Sequence, residues 1–245
     1  LRANSRLQVK RTLDGRRFGC AEDNQRRVNM INTSNLKSSS SVEVKPSDNL
    51  FEELGKNSYD YKDLLSELID NSLAARSDSQ KLIVTITILV NESGIKTHFI
   101  INDNAKGIPR EKLGSAVSPG MVQTNNSLNE HGLGMKQAIA ALGKLKYLAT
   151  RTSDSQNAVL INKLGFGNID VFDYNWDQPH GTEICVTNLK AIVDTNPTNI
   201  TRHIVPYLGA RYRRYLKEDA PQMEIRIKIQ REDTNAIQNE WFVKA

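Results

Sequence analysis

A carboxylate and an amide lie four residues apart in an apolar-periodic stretch of this chain. Glu67 and Asn71 fall within residues 61–75, where leucine and isoleucine recur close to helical spacing. Side chains four residues apart lie on one face of a helix, one turn from each other. The amide oxygen is a hard ligand that suits Mg²⁺, and the carboxylate can orient and deprotonate a water molecule. The exposed polar face of an ordinary amphipathic helix would show the same two residues.

A second block, residues 103–107 (DNAKG), ends an apolar run. Residues 81–90 and 97–101 predict two strands joined by a turn. A carboxylate such as Asp103, fixed at a strand end, can accept a hydrogen bond from the exocyclic amine of adenine. Gly107 would let the backbone approach a flat ring. The same residue types also form ordinary Asx turns.

A third block, residues 131–136 (HGLGMK), opens another predicted helix that ends near Gly143. Gly132 and Gly134 at a helix start would let backbone N–H groups face an anion, and the helix dipole favours negative charge there. Lys136, in the first turn, adds a positive charge suited to phosphate. A plain helix cap after a flexible loop would have the same composition.

Residues 108–130, between the second and third blocks, are rich in Ser, Asn, Gly and Pro and predict a poorly structured stretch. A stretch of that length inside a domain is usually a lid or a disordered segment. Its position directly before the glycines favours a lid. Taken together and in this order, the three blocks predict a site for ATP and Mg²⁺.

The blocks resemble those of the GHKL ATPase superfamily, which groups type II topoisomerases, a heat-shock chaperone, sensor histidine kinases and MutL-type mismatch-repair proteins. The resemblance covers about residues 64–189, and residues 180–186 (HGTEICV) are similar to the family's glycine-threonine strand. It implies that Glu67 is the general base, Asn71 the magnesium ligand and Asp103 the residue that binds adenine.

The resemblance also assigns supporting residues. Thr182 would help to hold Asp103, and Gly107 would lie at the adenine. The positions that would grip phosphate are consecutive: Gly132, Leu133, Gly134, Met135 and Lys136.

Within the superfamily, the lysine two residues after the second glycine and residues 66–73 (SELIDNSL) are most similar to MORC-like ATPases. The chain departs from the family pattern at two positions. Ala105 replaces the middle glycine of Asp-x-Gly-x-Gly, a change that we expect to be tolerated unless the position needs a positive φ. Ala74 stands where many relatives have an aspartate, which removes a polar contact near the metal site.

The resemblance implies a two-layer α/β sandwich of the Bergerat type: a mixed, mostly antiparallel sheet with helices on one face, and nucleotide between the sheet and the lid. Helices near 61–75 and 133–143 would line the pocket. Strands are expected near 81–90, 97–102, 145–151, 157–163, 168–173 and 181–187. The sequence pattern alone supports only alternating helices and strands in one domain.

Length, cysteine use and charge limit the class of protein. At 245 residues the chain can bury a sizeable core. Neither an apolar run of ~20 residues nor a signal-like segment occurs, so we expect no membrane contact. Cys20 and Cys185 lie far apart without metal spacing, which favours a cytoplasmic protein, or a nuclear one in a eukaryote. Residues 1–46 carry ten Lys or Arg against four acids, so the positive charge lies in this segment.

We predict three regions. Residues 1–46 form a basic arm, which would grip a nucleic acid backbone or a dimer partner, or form a solvated tail. Residues 47–195 form the ATP-binding domain. Residues 196–245 form a helix near 198–218 and a strand near 223–229, leading toward a transducer domain that this chain is too short to hold.

The leading functional hypothesis is an ATPase: slow, Mg²⁺-dependent hydrolysis in which nucleotide closes the lid and drives homodimerisation, as a clamp. Nucleic acid, attracted by the basic arm, is one candidate for what the clamp holds. The basic arm alone also leaves open a DNA- or RNA-binding protein with an incidental nucleotide site. One alternative is an ATP-dependent switch that does not hydrolyse its ligand. Another is the ATP-binding part of a histidine kinase, although no histidine precedes Glu67 to accept a phosphoryl group.

Overall fold

The computed structural model describes residues 30–44, 60–118, 134–164 and 167–245. In these ranges nine strands form one sheet. The strands are β1 Ser38–Val44, β2 Leu82–Val90, β3 Lys96–Asp103, β4 Lys144–Arg151, β5 Ala158–Ile161, β6 Gly167–Tyr174, β7 Gly181–Thr187, β8 Met223–Arg231 and β9 Ile237–Phe242. The helices are α1 Tyr61–Ala74, α2 Arg110–Val117, α3 Gly134–Leu142 and α4, which joins Pro197–Asn199, the π-helical turn Ile200–Ile204 and Val205–Tyr212.

The strand order across the sheet is β1-β6-β5-β4-β7-β3-β2-β8-β9. Only β2 and β8 pair in parallel, and every other neighbouring pair is antiparallel. The prediction of a mixed, mostly antiparallel sheet is therefore confirmed. Its central strands are rich in β-branched residues, as in β2 (LIVTITILV), which suits a strand covered on both faces.

The helices bury their apolar sides on one face of the sheet. Leu64, Leu68 and Ile69 of α1 lie in the main core, together with Ile139 and Leu142 of α3. The helices α1 and α3 also pack against each other. Burial of these side chains from water is the main force that fixes α1 relative to the sheet.

The second face of the sheet carries a smaller apolar cluster. Ile31 is buried in it, beside side chains from β2, β3, β4, β5 and β7. The backbone N–H of Ile31 donates to the hydroxyl of Tyr147 over 3.4 Å. Strand β1 pairs with β6 and forms one edge of the same sheet. The described part of the predicted basic arm, residues 30–44, therefore contributes both this strand and a segment that packs on the sheet. Residues 1–29 lie outside the described residues, and the division into three regions stays a prediction.

The predicted lack of structure in residues 108–130 is wrong for Arg110–Val117, which form α2. Leu113 and Val117 are four residues apart, so they share one face of a helix and are buried in the main core. Residues 119–130 lie outside the described residues, so the predicted lid itself stays a prediction.

The C-terminal helix ends at Tyr212, earlier than the predicted limit of 218. The carbonyl of Tyr215 accepts hydrogen bonds from the N–H groups of Gln222 and Met223, which turns the chain back into β8. The remaining predicted strands and helices are confirmed within a few residues at each end. Among the described residues, no helix is long and apolar enough to cross a membrane.

Candidate functional site

Asp103 lies at the end of β3 with its carboxylate buried against α1. Its Oδ1 atom accepts hydrogen bonds from the backbone N–H groups of Ala105 and Thr182, both over 3.0 Å. The hydroxyl of Ser72, on α1, donates to Oδ2 over 2.7 Å. A carboxylate has about four acceptor positions, so these three bonds leave room for one external donor.

Burial raises the pKa of Asp103, and the hydrogen bonds from Ser72, Ala105 and Thr182 oppose that effect. The three donors therefore favour the charged form of the carboxylate, whereas burial favours the neutral form. Ser72 was missing from our sequence prediction. A hydroxyl on the apolar side of α1, between Ile69 and Leu73, was the signal that could have revealed it.

Thr182 reaches Asp103 through its main chain. Its hydroxyl lies 3.2 Å from that of Thr150 instead. Gly181, the residue before it, has a φ of 129°, and a Cβ atom there would overlap the carbonyl oxygen of Asp103. The glycine-threonine pair therefore lets β7 approach the end of β3 closely enough for the bond from the Thr182 N–H.

Ala105 adopts no strained backbone. The only non-glycine residues with positive φ in the described ranges are Asn188 and Asn235. The N–H of Ala105 is used on Asp103, and its carbonyl accepts a hydrogen bond from Nδ1 of His180 over 2.8 Å. The replacement of the family's middle glycine by alanine is therefore accommodated without a left-handed conformation.

Gly107 has a φ of 75°, and a Cβ atom there would overlap the carbonyl oxygen of Arg151. This glycine packs the loop after β3 against the ends of β4 and β7. Its predicted approach to a flat ring stays a prediction, because the close contact that the structure contains is with strand backbone.

We expect Gly107→Ala to lower the free energy of unfolding by about 2–4 kcal/mol, because a left-handed conformation and a steric overlap are added together. Gly94→Ala is a matched control: Gly94 has nearly the same φ, 74°, but has no atom within 4 Å of an added Cβ. It should cost only about 1 kcal/mol. Urea denaturation of both variants measures the difference, and equal losses would contradict the packing role.

Glu67 and Asn71 lie together on α1, as their spacing predicted. The side-chain amide of Asn71 donates to the carbonyl of Glu67 over 2.5 Å, so its oxygen is the atom that can bind a cation. The carboxylate of Glu67 lies against the first residue of α3, since a Cβ atom on Gly134 would overlap Oε2. Burial raises the pKa of Glu67, Asp70 raises it further, and Arg211 opposes them.

The start of α3 carries the third set of predicted residues. Met135 is buried in the main core, and burial lowers the pKa of Lys136 to about 8. Gly132 and Leu133, which were also predicted to contact phosphate, lie outside the described residues. The structure therefore brings Gly134 to Glu67 and leaves the rest of the predicted phosphate loop untested.

Two surface cavities lie near this region. One of about 190 Å³ is lined by Ser77, Ser79, Gln80, Lys106, Ser153 and His180. The other, of about 400 Å³, is lined by Asp70, Leu73, Arg211, Tyr212, Arg213, Arg214 and Tyr215. Neither is lined by Glu67, Asn71 or Asp103. In the described ranges no group of three or more His, Cys, Asp or Glu is arranged to hold a metal.

Residues 59–178 match the family model described as "Histidine kinase-, DNA gyrase B-, and HSP90-like ATPase". Over this segment, just under half of its length, the chain is similar to the GHKL superfamily. The match contains α1, β3 and α3, which are the elements that carry Glu67, Asp103 and Lys136. It ends before Thr182 and before α4. The GHKL prediction made from the three blocks is confirmed, whereas the closer similarity to MORC-like ATPases stays a prediction.

Solved structures similar to the chain include the ATPase domain of MutL from Aquifex aeolicus in complex with ADP. The sequence identity is 14% and the TM-score 0.46, and the match covers 75% of this chain and 64% of the MutL chain. Another is the N-terminal domain of a DNA repair protein, at 16% identity and a TM-score of 0.48, covering 78% and 54%. The chain thus spans less than two thirds of either structure. No curated protein matches it.

Proposed function

We propose that this GHKL domain binds ATP with Mg²⁺ and hydrolyses the nucleotide slowly. The observation that carries the proposal is the buried carboxylate of Asp103, which accepts three hydrogen bonds and has one acceptor position left. The adenine amine is a donor of the right kind for that position. The carboxylate of Glu67 lies at the start of α3, where anions are favoured. The amide of Asn71 is one helical turn from Glu67 on α1.

The donor set fits magnesium. Mg²⁺ usually takes one or two protein oxygens and completes its shell with water and phosphate, so the amide oxygen of Asn71 is a sufficient protein ligand. When bound, the ion would offset negative charge on the phosphates. Lys136, in the first turn of α3, would add a further positive charge beside them.

Glu67 would act as the general base. Its carboxylate accepts a proton from a water molecule as the water oxygen forms a bond to the γ-phosphorus, and the bond from that phosphorus to the ADP oxygen breaks. Burial and Asp70 raise the pKa of Glu67, which makes its carboxylate a stronger proton acceptor than that of a fully solvated glutamate. The proton then passes to solvent, and ADP and phosphate leave.

The first experiment is equilibrium binding of Mg-ATP to the chain, measured by calorimetry, together with release of phosphate under saturating ATP. Binding with turnover supports the ATPase. Binding without turnover favours the alternative, a switch that does not hydrolyse its ligand. Absence of binding would overturn the proposal.

We expect ATP affinity to fall as the pH rises through about 8, the pKa to which burial lowers Lys136. Lys136 is charged below that pH and neutral above it, so its attraction for phosphate is present at lower pH and lost at higher pH. Lys136→Met should weaken binding by about tenfold at pH 7 and lose this pH dependence. Lys136→Arg is the control that keeps the charge. A parent affinity that stays constant from pH 7 to 9 would contradict the role.

Dimerisation and nucleic acid binding belong to the same proposal. We propose that ATP drives two copies together, which light scattering with a non-hydrolysable ATP analogue tests directly.

The basic residues 1–46 would attract nucleic acid. If they do, affinity for DNA or RNA falls steeply with salt in the full chain and only weakly after deletion of residues 1–29.

A further inference from the structure

The larger of the two surface cavities, of about 400 Å³, is rich in arginine and tyrosine. Its lining consists of Asp70 and Leu73 of α1 and of residues 211–215 (RYRRY), at the end of α4 and in the turn that follows. Cavities of this size are typical of ligand sites. The lining contains none of the residues of the proposed ATP site, so the cavity is available for a different ligand.

The one acid in the cavity is already paired. The side chain of Asp70 is only 9% exposed, and Nη2 of Arg211 lies 2.6 Å from its Oδ2. The hydroxyl of Tyr212 donates to the other carboxylate oxygen over 2.8 Å. Arg213 and Arg214 are exposed, and no carboxylate of the described residues forms an ion pair with either. The cavity therefore presents two unpaired guanidinium groups to a ligand.

A guanidinium group and an aromatic ring are stacked beside these arginines. The Cζ atom of Arg76 lies 5.4 Å from the centre of the Tyr215 ring. Nη1 of Arg76 donates to the carbonyl of Leu73 over 3.3 Å, and Tyr215 packs against the main core, so both planar groups are held in place. Aromatic rings and guanidinium planes are the groups on which unpaired bases stack.

The combination of groups favours nucleic acid over other acidic partners. Arginine forks match phosphate geometry, and the planar groups beside them suit bases. An acidic peptide would use the charges but has no need of the planar groups. A membrane surface would need exposed apolar side chains. The large exposed apolar residues of the described ranges are Ile95, Ile237 and Phe242, and none of them lines the cavity.

We propose that this cavity binds a single strand of nucleic acid, with Arg213 and Arg214 on its phosphates and the Arg76–Tyr215 pair against a base. A single strand is the partner because its bases are free to stack. The inference deepens the nucleic acid part of the proposed function and rests on it for the kind of partner. It adds a second surface, at the C-terminal end of α4, to the basic residues 1–46.

The test is the fluorescence anisotropy of a labelled oligothymidylate of about 20 nucleotides, titrated with the full chain at about 50 to 200 mM salt. In the double variant Arg213→Gln with Arg214→Gln, affinity should fall about tenfold at 200 mM salt and roughly 60-fold at 50 mM. The slope of log affinity against log salt should become shallower by about 1.4, which corresponds to two lost phosphate contacts on a single strand.

Lys112→Gln with Lys144→Gln is the matched control. Both lysines are exposed and neither lines the cavity, so the same charge is removed elsewhere on the surface. This variant should bind the oligothymidylate within about twofold of the parent and keep its salt slope. An affinity and slope in the arginine variant equal to those of this control would overturn the inference, and would leave residues 1–46 as the proposed contact.

Tyr215→Leu tests the stacking contact. It should weaken binding about tenfold and leave the salt slope unchanged, because no charge is lost. Tyr215→Phe keeps the ring and should bind like the parent. The melting temperatures of both variants are measured, since Tyr215 also packs against the core. The arginine variant changes only exposed side chains, so it decides the inference if Tyr215→Leu does not fold.

Competing ligands identify the partner. Displacement of the oligothymidylate by polyglutamate of similar length would contradict a nucleic acid site and indicate an acidic peptide. Displacement by inorganic phosphate at equal concentration would indicate a site for a small anion. These measurements contain no ATP, so failure of the parent to bind or hydrolyse ATP is a separate result. Failure of the parent to bind the oligothymidylate would overturn both this inference and the nucleic acid part of the proposed function.

Discussion

Replacement of Asp103 by asparagine is expected to lower the affinity for ATP about 100-fold while the domain stays folded. Asparagine has the same shape, and its oxygen can still accept the N–H groups of Ala105 and Thr182. Its amide nitrogen then takes the place of Oδ2. Ser72 can accept from that nitrogen and donate to the carbonyl of Leu68, which lies 3.4 Å away.

The loss of affinity comes from the contact between residue 103 and the adenine of ATP. The adenine amine would meet an N–H donor where it now finds a carboxylate oxygen, so two donors would be buried without an acceptor. Such a mismatch costs about 1–3 kcal/mol, more when one partner was charged. The same change should favour a base with an oxygen in place of the amine, because the new amide can donate to it.

Calorimetric titration with ATP and with inosine triphosphate measures both effects. Asp154→Asn is the matched control, since Asp154 is an exposed aspartate in the turn after β4 and should leave affinity unchanged. In Asp103→Asn the ratio of the affinity for ATP to the affinity for inosine triphosphate should become smaller or fall below one. Equal weakening of both nucleotides, with preference retained, would contradict the assignment of Asp103 to the adenine amine.

Replacement of Glu67 by glutamine is expected to reduce ATP hydrolysis by about 10²–10⁴-fold and to leave ATP affinity within a few-fold of the parent. Glutamine keeps the shape that fits against Gly134 but cannot accept a proton from water. Removal of the negative charge beside the start of α3 also relieves repulsion of the phosphates, so binding should not weaken.

Single-turnover phosphate release and calorimetric binding, measured on the same preparations, check this expectation. Glu111→Gln is a suitable control because Glu111 is an exposed glutamate in the first turn of α2, away from the site. Turnover in Glu67→Gln close to that of the parent would remove Glu67 from the reaction. Loss of binding together with turnover would give it a role in holding the nucleotide instead.

The sequence determined the elements and the order of the site. Apolar spacing in α1 and β2 was enough to place them, because the helical and strand periods are local properties of the chain. The four-residue spacing of Glu67 and Asn71 likewise fixed their common face before any tertiary contact was known. Three elements of the described ranges were not predicted: β1, β9 and α2. The helix α2 was hidden by the glycine, serine and proline that surround its two apolar residues.

The tertiary structure decided which side chains complete the site. Ser72 and Thr182 reach Asp103 across 31 and 79 residues, and Arg211 reaches Asp70 across 141. No local pattern indicates such pairs, because they depend on which helix packs on which strand. Spacing along the chain was thus enough to name the candidate catalytic residues. Their protonation and their supporting contacts depend on burial and on charges that only folding brings together.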